Sequence, residues 1–231
     1  MSILFFSGAI LLIAFLAVFT VALKNQRLRI AYIKEHNLNI TLKPVLYYAI
    51  KRLCDICVAL AVCALVLPLF YVIFGILIKM SSKGPIIFRH KRKGLFEQEF
   101  MCYKFRSMYE GASAERVLSE NDCRITAIGR FLRKTHLDEF PQFFNVLKGD
   151  MSLVGPRPLS AKALEKYAVS DKVYYRFVQI PGITGPAQIN SGRDLSPEQY
   201  LQYDACYVSN PSLSGDFQLL LKTLKFADSA Y

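Results

Sequence analysis

Two long stretches without charge occupy much of the first third of the chain. Residues 3–23 form the first, and Lys24, Arg27 and Arg29 follow it. At about 1.5 Å per residue its length is roughly 31 Å, the thickness of a bilayer's hydrocarbon core. No basic residue precedes it and no small-x-small site closes it, so a cleaved leader is disfavoured. The basic flank predicts a transmembrane helix over residues 1–23, with the chain from Lys24 onward on the cytoplasmic side.

Residues 56–78 form the second uncharged stretch, and the flanks of this one conflict with a simple crossing. Lys51 and Arg52 precede it, while Lys79, Lys83, Arg89, Lys91, Arg92 and Lys93 follow, so both ends favour the cytoplasmic side. Pro68 sits near its middle, where a proline removes one helical hydrogen bond and clashes with the preceding turn. Each arm beside it is about 11 residues, roughly 17 Å, too short to span. The pattern predicts a re-entrant helix-break-helix over residues 51–80 that dips into one leaflet and returns at Pro68. Asp55, three residues after Arg52, is positioned to pair with it at the interface.

Beyond residue 80 the hydrophobic pattern is that of a small mixed region. Pro85-Ile-Ile-Phe88 and Phe100-Met-Cys-Tyr-Lys-Phe105 predict short strands joined by a turn near Lys93-Gly94. Residues 112–120 predict a short helix. Phe140, Phe143, Phe144 and Leu147 recur at helical spacing and Gly149 ends the pattern, predicting a helix over 138–148 with Pro141 in its first turn. Ser196 and Pro197 open another helix over 198–208, and residues 217–226 predict an amphipathic surface helix. The expected fold class is a mostly α, α/β membrane-associated domain. Its parts are a transmembrane helix, a basic linker over 24–50, the re-entrant helix, and a cytoplasmic catalytic domain over 81–231.

Charge refines this picture. The net charge is +11, and residues 24–52 carry seven Lys/Arg against the single acid Glu35. That excess lies between the two apolar stretches, where anionic lipid head groups would be its neighbours. No groove-binding motif accompanies it, so a nucleic-acid partner is not expected. Of the six cysteines, Cys54, Cys57 and Cys63 lie in or beside the second apolar stretch and the rest are scattered. Reduced thiols are expected, with no disulfide framework and no zinc site.

The candidate chemistry centres on Asp138 and Glu139. Asp is a preferred N-cap and Glu suits a first helical turn, so locally the pair reads as a cap. The surroundings add a second reading. Arg130, Arg133 and Lys134 precede the pair, Lys148 and Arg157 follow it, and Lys104 and Arg106 lie upstream. Arg157 stands in Gly155-Pro-Arg-Pro158, where flanking prolines stiffen the loop that carries a planar guanidinium. Pro181-Gly-Ile-Thr-Gly-Pro-Ala-Gln188 is a turn-rich loop, with Arg193 shortly after it. Carboxylates among many cations suit a metal-assisted phosphoryl site, in which cations and Mg²⁺ neutralise phosphate oxygens while a carboxylate attacks or coordinates.

At these residues the chain strongly resembles the bacterial sugar transferases, the monotopic polyprenyl-phosphate phosphoglycosyl transferases. The resemblance runs through Lys51-Arg-x-x-Asp55, Gly84-Pro-Ile-Ile-Phe88, Lys104-Phe-Arg-Ser-Met108, Ile128-Gly-Arg-Phe-Leu-Arg133 and Leu137-Asp-Glu-Phe-Pro-Gln142. It continues through the long block Asn145-Val-Leu-Lys-Gly-Asp-Met-Ser-Leu-Val-Gly-Pro-Arg-Pro158 and closes on Pro181-Gly-Ile-Thr-Gly185. It covers about residues 50–226 and implies an enzyme of the bacterial inner membrane, facing the cytoplasm. The resemblance implies that Asp138 is a nucleophile attacking the β-phosphate of a UDP-sugar, releasing UMP. Polyprenyl (undecaprenyl) phosphate would then accept the phosphosugar. Glu139 would assist, and Mg²⁺ would sit with Asp138 and the diphosphate. Lys104, Arg106, Arg133, Arg157, Thr184, Gln188 and Arg193 are the implied substrate-binding residues. Three positions depart from the family pattern. Leu67-Pro68 stands where Ser-Pro is frequent, so the kink rests on Pro68. Ile180 stands where Arg is common, and Asn190-Ser-Gly-Arg193 is one residue longer than the usual Asn-Gly-Arg.

Overall fold

The computed structural model describes residues 2–112, 122–165, 167, 170–190 and 195–229, with side chains described from residue 12 to residue 224. The helix expected over 112–120 and the candidate Arg193 lie outside these residues, apart from Ala112, which is irregular.

The first apolar stretch lies in helix α1, Ser2–Glu35. It does not stop at Leu23, and this corrects the expectation of a linker over 24–50. The last turns are part of the folded body. Arg29 is buried, donates from Nε to the Val178 carbonyl at 3.0 Å and stacks over the Tyr48 ring at 4.0 Å. Tyr32 donates to Glu97 Oε1 at 2.7 Å. Extending the helix gives these side chains partners in distant segments, whereas a solvated linker would leave their apolar stems exposed.

Helix α2, Val45–Ala61, and helix α3, Leu67–Ser81, carry the second apolar stretch. Between them Val62–Val66 forms one π turn, in which the Leu67 amide donates to Val62 O. Pro68 has no N–H and its ring crowds the preceding turn. Widening the helix by one residue relieves that crowding while the backbone stays helical. The expected break is therefore a π turn, and Val45–Ser81 is continuous. Among the described residues it is the helix long and apolar enough to cross a membrane.

Both arms of this helix pack on the same globular body. Arg52 donates to the Val146 and Leu147 carbonyls at 2.6 and 3.0 Å, closing the C-terminus of helix α5, Gln142–Lys148. Asp55 accepts from the Leu153 amide at 3.1 Å. The expected Arg52–Asp55 interface pair is thus replaced by two tertiary contacts, because each group meets an unsatisfied backbone partner. Further along, Phe74 and Ile78 join Phe105 and Leu132 in one core, and Phe70 lies 4.9 Å from the Phe140 ring. Leu65 and Leu69, near the π turn, are exposed.

The body is built from short elements. Strands β1, Ile87–Lys93, and β2, Glu99–Phe105, form an antiparallel hairpin. Strands β3, Ser152–Val154, and β4, Gly182–Thr184, pair in parallel. The expected hairpin is present, with its first strand shifted toward Lys93 and its turn in 94–98. Helix α4, Ala127–Lys134, packs on the backbone of Ser107. A Cβ at Gly129 would lie 1.9 Å from the Ser107 carbonyl oxygen, so only glycine permits this approach. Helix α6 covers Ala161–Glu165, α7 Pro186–Asn190, α8 Pro197–Ser209 and α9 Leu213–Ser229. Helix α8 starts where Ser196-Pro197 led one to expect, and Ser196 caps it in a reciprocal capping box with Gln199.

Candidate active site

Asp138 and Glu139 lie in a single 3-10 turn, Leu137–Glu139, rather than at the start of an α-helix. Helix α5 begins only at Gln142, with Pro141 as its N-cap. The acids are therefore not caps of a regular helix. His136 precedes them at φ 55°, ψ 13°, a left-handed conformation uncommon outside glycine. It turns the chain sharply out of α4 and directs Asp138 inward, where it is buried.

The two acids have different surroundings. Glu139 Oε1 accepts from Lys104 Nζ and, at 2.9 Å, from Arg157 Nη2. Burial alone would raise its pKa, but Arg157 and Lys104 outweigh burial and hold it well below the usual carboxylate range. Among the described residues no hydrogen bond reaches Asp138. Lys104 Nζ is 3.9 Å from its Oδ2. Burial pushes the Asp138 carboxyl up, with Lys104 opposing and Glu139 adding to the rise. Glu139 is thus held by two directed bonds, whereas Asp138 has only the longer ion pair with Lys104 among the described residues.

Arg133 donates from Nε to Ser107 Oγ at 2.7 Å and lies in the electrostatic neighbourhood of Asp138. Arg157 raises one cationic edge, and its side chain remains 39% exposed. Its loop is braced from behind: Arg176 Nη2 donates to the Arg157 carbonyl at 2.7 Å and lies 3.1 Å from Asp204 Oδ2. Asp204 and Arg176 are 0% and 3% exposed. Nothing in the sequence singled out this pair, because its members are 28 positions apart in the sequence and carry no local pattern.

Three expected substrate contacts change role. Arg106 is buried and donates to the Lys83, Ser82 and Ile78 carbonyls at 2.6, 2.7 and 3.4 Å. It satisfies the C-terminus of α3 and is not available to a phosphate. Thr184 is buried, and its hydroxyl meets the Thr223 hydroxyl on α9 at 2.7 Å. Gln188 donates its amide to the Ile183 carbonyl at 3.2 Å, bracing the loop between β4 and α7. Lys104, Arg133 and Arg157 are the expected cations that gather at the acids. Sequence reasoning passed over His90 and Arg92 on β1, which share the electrostatic neighbourhood of Lys104, Arg157 and Glu139. The signal was available in the alternation of β1, which places residues 88, 90 and 92 on one face.

The bacterial sugar transferase family model matches residues 46–227, most of the chain and every residue of this cluster. The chain belongs to the bacterial sugar transferase family. Its similar relatives include an undecaprenyl-phosphate galactose phosphotransferase of Salmonella typhimurium, 39% identical over 204 residues, 79% of this chain and 42% of that one. A UDP-glucose:undecaprenyl-phosphate glucose-1-phosphate transferase of Klebsiella pneumoniae is 41% identical over 182 residues, covering 75% of this chain and 39% of the relative. The exopolysaccharide production protein ExoY of Rhizobium meliloti is 38% identical over 192 residues, 75% and 83% of the two chains. The chain thus spans less than half the length of the first two relatives and most of the third.

Proposed function

We propose that this sugar transferase moves a sugar phosphate from a UDP-sugar to a polyprenyl phosphate, undecaprenyl phosphate by preference, and releases UMP. The observation that carries this is the contrast between two adjacent carboxylates. Glu139 is fixed by Lys104 and Arg157, while Asp138 is buried beside them without a hydrogen bond. A buried carboxylate without hydrogen bonds is costly to keep ionised, and it is a reactive oxygen where cationic groups and a phosphorylated substrate balance its charge.

In the first step an Asp138 oxygen attacks the β-phosphorus. That P–O bond forms, the bond to the UMP oxygen breaks, and UMP departs with the electron pair. The phosphosugar then rests on Asp138 as an acyl phosphate. In the second step an oxygen of the acceptor phosphate attacks the same phosphorus, and Asp138 leaves as a carboxylate. The product is a polyprenyl-diphosphate sugar, the starting unit of a glycoconjugate such as an exopolysaccharide, capsule or lipopolysaccharide chain. Arg157 and Lys104 hold Glu139 and present positive charge to the phosphate oxygens, and Arg133 does the same from the α4 side. The donor set suits Mg²⁺, which is commonly held by one or two carboxylates with the remaining ligands from phosphates and water. Asp138 would hold it, and it would neutralise diphosphate charge.

Packing supports a membrane arrangement. α2 is fixed to the body at Arg52 and Asp55, and α3 at Phe74, Ile78 and the Arg106 contacts. A helix bound to one body along both arms cannot carry its two ends to opposite sides of a bilayer. We therefore read it as re-entrant, with the exposed apolar residues around the π turn in the cytoplasmic leaflet of the inner membrane and α1 crossing.

Incubation with a UDP-sugar in the absence of acceptor tests the chemistry. UMP release in a single burst, with an adduct of sugar-phosphate mass on the peptide containing Asp138, is expected. A protein that binds polyprenyl phosphate without forming that adduct would be a scaffold and would overturn the proposal.

A further inference from the structure

One face of the β hairpin carries polar groups that the proposed chemistry leaves unused. Residues 88, 90 and 92 alternate onto one side of β1, and their partners on β2 are Lys104, Cys102 and Phe100. His90 and Arg92 therefore project from the same face as Lys104. The field at His90 comes from Arg92, Lys104, Arg157 and Glu139, the groups that surround the catalytic turn. Both ring nitrogens of His90 are buried, and among the described residues neither has a hydrogen-bond partner. An imidazole with both nitrogens dry and unpaired forfeits the hydrogen bonds that water would give it. Arg92 is comparably placed. Its contact among the described residues is a long donation to the Pro158 carbonyl at 3.4 Å, and no carboxylate pairs with it. Its desolvated charge is opposed by neighbouring Arg157.

These observations share one explanation. Lys104 and Arg157 are already engaged by Glu139, whereas Arg92 brings a further positive charge that no carboxylate among the described residues meets. A phosphate oxyanion entering between β1 and the Arg157 loop would satisfy Arg92 and accept the imidazole N–H. We propose that His90 and Arg92 form a phosphate-binding edge of this site, supplied by the β hairpin rather than by the loops that follow the catalytic turn. Burial and the three neighbouring cations hold the His90 imidazole down to about 3, so it enters as a neutral donor and leaves the charge to Arg92. The inference rests on the phosphoglycosyl transfer reading, and the phosphate could belong to the nucleotide donor or to the lipid acceptor.

Binding of UMP and UDP to the full-length protein in detergent separates these sources without requiring turnover. Arg92→Gln removes the charge at similar length, His90→Leu removes both ring nitrogens, and His90→Gln restores an N–H donor. If the edge holds the donor's phosphate, Arg92→Gln weakens UMP and UDP binding at least about tenfold. His90→Leu then weakens it several-fold and His90→Gln recovers most of the loss. If it holds the acceptor's phosphate, nucleotide affinity stays at wild type, and the KM for undecaprenyl phosphate rises by the same factors with kcat little changed. Nucleotide affinity and acceptor KM both unchanged in folded Arg92→Gln and His90→Leu proteins would overturn the inference. Should Arg92→Gln fail to fold, the His90 pair decides alone, because a merely structural loss would not be rescued by glutamine in KM. Asp138→Asn gives the separate control: UMP release persisting in that variant would defeat the reaction proposed above while leaving these binding measurements readable.

Discussion

Glu139 and Asp204 are two carboxylates served by arginines, the first half-buried and the second fully buried, and they meet at one residue. Arg157 gives its guanidinium to Glu139 and its carbonyl to Arg176, the partner of Asp204. Their electrostatics nevertheless run in opposite directions. Glu139 receives directed hydrogen bonds from two cations and is held well below the usual carboxylate range. Asp204 has one guanidinium nitrogen 3.1 Å away, and among the described residues neither of its oxygens makes a directed hydrogen bond. Burial dominates there and pushes it up to about 6. Proximity to an arginine is thus insufficient. The number and direction of donors decide whether a buried acid gains more than desolvation removes. The first pair sits in a partly open site, with the Arg157 side chain 39% exposed. The second is sealed and holds the loop that carries Arg157.

The largest expected separation between them is in turnover. Asp138→Asn should lower steady-state UMP release by about 10⁴-fold or more, the order seen when a covalent nucleophile is removed. Its melting temperature should stay near wild type, since the carboxyl is buried without hydrogen bonds. Arg176→Met should do the reverse. It removes the donor to the Arg157 carbonyl and leaves Asp204 buried without its cation, and should cost about 3 kcal/mol of stability, read in denaturant titrations, with kcat within about tenfold of wild type. Equal losses of turnover in both variants, without a stability difference, would dissolve the distinction between site and brace.

A smaller effect concerns pH. The Asp204 carboxyl titrates at about 6 when folded, against 3.8 for an ordinary one, so the folded state holds its proton more tightly. The resulting stabilisation is complete below about pH 4 and is lost as pH rises through 6. Wild type should therefore lose stability relative to Asp204→Asn between pH 4 and 6, by at most about 3 kcal/mol. An opposite slope would show that Arg176 compensates burial fully. The smallest expected effect on catalysis belongs to Arg106→Ala. Loss of its bonds to the α3 carbonyls should destabilise the protein by about 2 kcal/mol. The donor KM should stay within about twofold of wild type, whereas a large rise in KM would return Arg106 to the substrate.

Much of this was legible beforehand because it depends on neighbours in the chain. Uncharged length marked α1 and the α2–α3 helix, hydrophobic periodicity marked α5, Ser196-Pro197 announced the start of α8, and Pro68 located the perturbation in the apolar helix, while α4, α6 and α7 went unannounced. The dense motifs around Asp138-Glu139 identified the family. The start of α5 was misplaced because Pro141 fits a first turn and an N-cap equally well, and only the backbone turn at His136 distinguishes them. The first strand was placed too early because its later half, Arg89 to Lys93, is polar. Its hydrogen-bond partners on β2 keep it extended, and local composition does not record them.

By itself the sequence determined that two apolar segments exist, that basic residues flank them, and that paired acids lie among cations in a family-specific order. The first two follow from composition and short-range spacing and the third from resemblance to the family, and none needs knowledge of the fold. The tertiary structure decided which cations gather at the acids. Lys104, Arg133 and Arg157 converge on the acids, Arg106 is spent on helix carbonyls, and Arg29 and Arg176 are buried braces. An arginine's role depends on which acceptors lie within a few ångströms of its guanidinium. Here those acceptors come from segments that are often many residues away in the chain and adjacent only once it has folded.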